Sequence, residues 1–149
     1  MENQNIVSQM ENQNILDNNY SKTFIKLSSL TFLSGMIATY YEKYDMAFLV
    51  YLAMFNTINY WRKPIYGLRR NFDIFVIVSG QMYHMYHSSD YELCHYYYFF
   101  TLLSFLSFPI GWYYHINKNI LYGYYLHILL TIFMNFGLIT LYISDKKET

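Results

Sequence analysis

The densest collection of reactive side chains in the chain falls within residues 84–95: His84, His87, Asp90, Glu92, Cys94 and His95. Two imidazoles at i and i+3 are neighbours on a helix surface, a usable spacing for two nitrogen ligands of one metal ion. If residues 90–92 form a turn, His95 opens the next helix and can return to supply a third ligand. Asp90, Glu92 or Cys94 would then complete the shell or orient an imidazole. His84, His87 and His95 are therefore the candidate metal ligands, zinc the candidate ion, and metal-assisted hydrolysis the chemistry they would support, with Asp90 or Glu92 handling protons. The same histidines, with an ordinary pKa of about 6.5, also suit proton transfer or pH sensing. The plainer reading is a wet turn, in which His, Asp and Glu are at home and Tyr83, Tyr86 and Tyr91 mark a polar–apolar boundary.

No Gly-rich phosphate loop, G-x-S-x-G elbow, H-E-x-x-H helix or CxxC pair fixes a known chemistry. Cys94 has His95 as its sequence neighbour, but the two point about 100° apart on a helix, so the imidazole does not serve the thiol as a base.

Helices must position these residues, and the composition says in which solvent. The chain has 149 residues, with 10 Lys+Arg against 10 Asp+Glu, and only 13% of residues are charged. A soluble domain carries about twice that fraction. The balance of charge removes the electrostatic term a nucleic-acid partner needs, and a single cysteine excludes an internal disulfide. The charges are clumped, leaving uncharged runs at residues 27–41, 46–61, 74–89, 93–117 and 119–144. A bilayer core about 30 Å thick needs roughly 20 helical residues. The last two runs meet that length outright. The others meet it when their charged edges are included, with Lys26 snorkelling to the interface.

The expected fold is all-α: a transmembrane bundle of five spans, at residues 23–41, 44–61, 72–89, 93–114 and 120–144, the fourth broken or kinked at Pro109. A four-span version lays residues 23–41 flat as an interfacial helix. Short connections allow only antiparallel neighbours and a compact bundle. Lys22, Lys26, Arg62, Lys63, Arg69, Arg70 and Lys118 fall on one side and Lys43, Lys146 and Lys147 on the other, which places the N-terminus in the cytosol and the C-terminus in a lumen or outside. Tyr60, Trp61, Trp112, Tyr113 and Tyr114 sit at span ends, where interfacial rings belong.

Residues 1–21 read as a disordered Asn/Gln-rich tail, 22–144 as the bundle and 145–149 as a short charged tail. The tail contains a repeat, MENQNI at residues 1–6 and again at 10–15, so a start at Met10 is equally compatible. It has no basic n-region or apolar h-region of a signal peptide. The abundance of Asn, Ile, Tyr and Phe fits an A/T-rich genome such as that of many protists or large DNA viruses.

Polar groups inside a membrane face protein or a watery cavity, so their spacing marks inner faces. Asp73, Gly80 and His87 fall at i, i+7 and i+14 with His84 beside them, and Gly123, His127, Thr131 and Asn135 follow at intervals of four. Asp73, Gln81, His127, Thr131 and Asn135 are accordingly expected in the bundle interior, with Asp73 paired to Arg69 or Arg70. Stripes of small residues at Ser28, Thr31, Gly35 and Ala38, and at Ala53, Asn56 and Tyr60, read as packing faces.

Ser79 with His84, and the segment from Leu126 through His127 to Thr131, loosely resemble the Ser/His and H-x-x-x-H elements of the adiponectin-receptor and alkaline-ceramidase group of zinc hydrolases. That resemblance implies a zinc-dependent lipid hydrolase. The chain departs from the group in having Thr131 in place of the final His, one residue too many between Ser79 and His84, five spans rather than seven, and parallel rather than antiparallel metal-bearing helices.

The sequence thus predicts a non-enzymatic, multi-pass integral membrane protein without a cofactor. It would act by packing with itself or with a membrane-protein partner, in a host endomembrane or a virion membrane, with the lipid bilayer and no nucleic acid as its surroundings. A zinc-dependent membrane hydrolase is the alternative, and a proton or ion pathway through Asp73, Gln81, His84 and His127 the second.

Overall fold

A computed structural model describes residues 18–64, 67–116 and 120–147. It contains α1 (Asn18–Tyr40), α2 (Tyr44–Trp61), α3 (Leu68–Ser88), α4 (Cys94–Ile116) and α5 (Ile120–Ile143). These make the described part 87% helical, with no strand. The repeat-bearing tail at 1–17 and the last two residues lie outside the described residues. Helix α1 begins at Asn18, earlier than its first apolar run, and α3 begins at Leu68, because Leu68 and Arg69 extend its first turn into the exposed surface. Of the expected break or kink at Pro109, a break is absent: α4 runs through it to Ile116. Proline removes one backbone donor from a helix, and here the helix continues on both sides of it.

Antiparallel packing of α1 and α2 follows from a turn so tight that Glu42 adopts a left-handed φ of 58°. The backbone N–H of Lys43 closes it by donating to the Ala38 carbonyl at 2.9 Å. The two helices come close at Gly35, where a Cβ would lie 2.5 Å from the Tyr51 ring. Gly137 plays the same part on α5, where a Cβ would lie 3.2 Å from Phe100 of α4.

Helix order in space is α3, α2, α1, α5, α4, an arc in which each helix packs on the next. The ends of the arc, α3 and α4, meet only marginally even though residues 89–93 join them directly. A short connection holds two helices together at one end and leaves the other free, so the expectation of side-by-side neighbours at every turn fails here.

Two apolar clusters hold the arc. One gathers Ala38, Met46, Ala47, Val50, Tyr91, Tyr97, Leu138, Leu141 and Tyr142 at the end where α2 and α4 begin. The other is Phe24, Tyr60 and Trp61 at the opposite end. Tyr60 and Trp61 were expected as interfacial rings but are 7% and 6% exposed. Trp61 lies 4.2 Å from Phe24, and the pair joins α2 to the start of α1. The side chain of Trp112 lies outside the described residues, whereas Tyr113 is exposed.

Among the described residues one helix, Leu121–Ile143, is long and apolar enough to cross a membrane, and only 28% of its apolar window is buried. Helices α1 to α4 carry too many polar or charged side chains to pass on length and composition.

Candidate functional site

Because α3 and α4 diverge, they leave a cavity of about 430 Å³ that all five helices line. Its mouth is apolar. Ile74, Ile77 and Val78 of α3 and Phe105 and Phe108 of α4 line it and are all exposed. Its depth is polar: Asp73, Gln81, His127, Thr131 and Asn135, the five residues assigned to the interior, all line it, as does His84.

The end of the cavity nearest the α3–α4 turn is closed by side chains reaching across. Gln81 donates from Nε2 to Tyr97 Oη at 2.6 Å and to Thr101 Oγ1 at 3.2 Å. His84 has Nδ1 2.6 Å from the Gly80 carbonyl and Nε2 2.6 Å from Tyr142 Oη. A carbonyl only accepts, so Nδ1 carries the proton, and Nε2 accepts from the Tyr142 phenol. Both ring nitrogens of His84 are therefore occupied.

His87 instead stands with its ring 4.4 Å from Tyr83, and His95 is exposed against Tyr96 at 4.1 Å. The three histidines proposed as ligands are not brought together, and among the described residues no three His, Cys, Asp or Glu side chains form a group able to hold a metal ion. Ser79 is exposed, away from the buried His84. Residues i and i+3 differ by about 60° around a helix. Here that angle separates an inward imidazole from one at the margin.

Asp73 also lines the cavity and is buried, 6% exposed. It takes a hydrogen bond from Thr57 Oγ1 at 3.0 Å rather than the expected pair with Arg69 or Arg70. Arg69 is exposed, and Arg70 lines the cavity with interactions of its own. His127, which lines the same cavity, packs edge-on against Phe24 at 4.7 Å and Trp61 at 5.5 Å. No described residue hydrogen-bonds its ring nitrogens. Asn135 ties α5 to α1, accepting from Ser34 Oγ at 2.7 Å and donating to Thr31 Oγ1 at 3.3 Å.

Outside the cavity, Lys43 caps α5. Its ammonium donates to the carbonyls of Leu141, Tyr142 and Ser144, each at 2.9 Å, and sits 3.9 Å over the Tyr91 ring. These are the orphan acceptors at a helix C-terminus, where a cation is favoured. Burial pulls the Lys43 pKa down to about 8, with Asp145 opposing and Lys146 adding to the fall. A bridge between Tyr91 and Lys146 fixes the tail beside it, supported by Lys147 N–H donating to the Asp90 carbonyl at 2.8 Å.

Nothing in the spacing of the sequence marks Tyr97, Thr101, Tyr142 or Thr57 for these roles. Lys43 stands in the sequence as one of the charges that set orientation, and its isolation between two apolar runs is the signal for its capping role. The chain matches no protein-family model, no curated protein and no solved structure.

Proposed function

We propose that this chain is a five-span integral membrane protein that is not an enzyme, and that its cavity receives an amphiphile from the surrounding bilayer through the gap between α3 and α4. The reading rests on the polarity of α3. Its buried positions are Asp73, Val76, Gly80, Gln81, His84 and Ser88, of which only Val76 is aliphatic. Its exposed positions include Phe72, Ile74, Phe75, Ile77, Val78, Met82 and Met85. In water this arrangement would be inverted, with a large exposed apolar surface and desolvated polar groups. In hydrocarbon it is the stable arrangement, since polar groups face protein and apolar ones face lipid. The polar inner face also accounts for the low mean hydropathy of α3.

Charge placement supports the same solvent. Lys22, Lys26, Arg62, Lys63 and Arg69 are exposed at one end of the bundle, and Glu42, Asp90, Glu92, Asp145, Lys146 and Lys147 at the other. The positive excess favours a cytosolic N-terminus.

A receiving role, rather than assembly through the small-residue stripes, follows from how those stripes are used. Gly35 seats Tyr51, and Ser34 and Thr31 bond Asn135 within the same chain. The α3–α4 gap, where exposed apolar side chains line the cavity, is not filled in this way.

The test is extraction followed by lipid analysis. The protein should remain in the membrane pellet after alkaline carbonate, enter solution only with detergent, and carry a stoichiometric co-purifying lipid. Recovery in the supernatant without detergent refutes the membrane assignment, and a lipid-free, stable protein refutes the receiving role.

A further inference from the structure

We infer that the guest in this cavity is a single-chain amine, its ammonium held by Asp73 and its alkyl chain leaving between α3 and α4. This deepens the receiving role proposed above and rests on it.

The argument starts from the Asp73 carboxylate. One oxygen takes the Thr57 hydrogen bond, and no described residue donates to the other. Among the described residues no fully buried polar side-chain atom lacks a partner. The second oxygen therefore reaches the space of the cavity that Asp73 lines. An ionisable side chain at membrane depth is stable when it pairs with an opposite charge, and no described lysine or arginine bonds this one.

The surrounding wall suits a cation. Phe24, Tyr60, Trp61 and Tyr124 line the same cavity as Asp73, and Trp61 lies on the α2 face carrying Thr57, one turn further on. Aromatic faces attract ammonium groups, Trp most strongly. Arg70 also lines the cavity and would favour an anionic head. It is only half-buried, however, and has interactions of its own, whereas Asp73 is deeper and has an acceptor to spare. The mouth of Ile74, Ile77, Val78, Phe105 and Phe108 offers an alkyl chain apolar contact continuous with the bilayer. A volume of about 430 Å³ lies at the small end of ligand pockets, consistent with one chain rather than two.

The test compares three guests that share a chain and differ in head group: dodecylamine, dodecanol and laurate. Each is titrated at equal mole fraction into phosphatidylcholine nanodiscs holding the full chain, and occupancy is read by native mass spectrometry. Dodecylamine should bind at least about tenfold more tightly than either of the others. Asp73→Asn, which keeps the shape and the Thr57 contact, should bring the amine down to the level of dodecanol and leave dodecanol unchanged. Equal binding of all three, preference for laurate, or amine binding untouched by Asp73→Asn overturns the amine assignment while leaving the receiving role in place. Binding of none overturns both. The wild-type comparison stands even if the variant does not fold.

Discussion

His84 and Tyr142, fifty-eight residues apart, share a 2.6 Å hydrogen bond that joins α3 to α5, two helices that are not neighbours in the arc. The imidazole is fixed as acceptor because its other nitrogen donates to Gly80. Tyr142→Phe should therefore strand a buried acceptor and destabilise the detergent-solubilised protein by about 1–3 kcal/mol. Adding His84→Leu should recover part of that loss, since removing both partners leaves nothing unpaired. A double-mutant cycle by thermal unfolding checks this, and strict additivity would count against the bond.

Gly35 marks the closest approach of α1 and α2. Gly35→Ala places a methyl group against the Tyr51 ring and should cost about 1–3 kcal/mol by overpacking. Combined with Tyr51→Ala, the extra methyl should cost much less. The melting midpoints of the two single variants and the double variant decide whether the ring is the obstacle.

Asn135 links α5 to Ser34 and Thr31 of α1. Asn135→Leu keeps the volume and loses both bonds, and should lower stability by about 1 kcal/mol, the usual scale for a polar contact between membrane helices. A midpoint equal to that of the wild type would show that the two helices hold together by packing alone.

The pH dependence has a definite sign. Burial holds the folded Lys43 at about 8, below its ordinary value of 10.5. Between those values the unfolded chain binds a proton that the folded chain has released, so this group makes stability rise with pH. Tyr91 acts in the opposite direction: burial and the charges of Asp45 and Asp90 raise its pKa above 10, so its contribution falls as pH climbs beyond that point. From about pH 8 to 10 the wild type should gain stability relative to Lys43→Gln. Parallel curves for the two proteins would remove Lys43 as the source.

Topology can be read with single cysteines in a Cys94→Ser background. A membrane-impermeant maleimide applied to sealed vesicles should label Glu42→Cys and Lys63→Cys from opposite faces. Labelling of both from one face would contradict an α2 that spans.

Much of the helical frame could be read from the chain alone, because uncharged apolar runs and their charged edges mark where helices begin and end. Residues 44–61 appear as α2 at both ends. The inner faces of α3 and α5 were also legible, since Asp73, Gln81, His127, Thr131 and Asn135 share a helical period and one cavity. The arrangement of the helices in space was not legible. Nothing in the order of the runs says that α1 inserts between α2 and α5, and that insertion is what leaves α3 and α4 apart. Ligand-type residues crowded near the turn suggested a metal site, but density along a chain does not give direction. His84 turns inward to Tyr142, whereas His95 turns outward.

The place of α1 in the arc also sets an order in time. Its partner on one side, α2, follows it directly in the chain, whereas its partner on the other, α5, follows only after α2, α3 and α4. Until α5 arrives, Thr31 and Ser34 have no Asn135 to meet. A chain stopped before residue 120 would thus leave Thr31 and Ser34 of α1 as an uncovered polar seam, the one part of the bundle that its nearest neighbours in sequence do not complete.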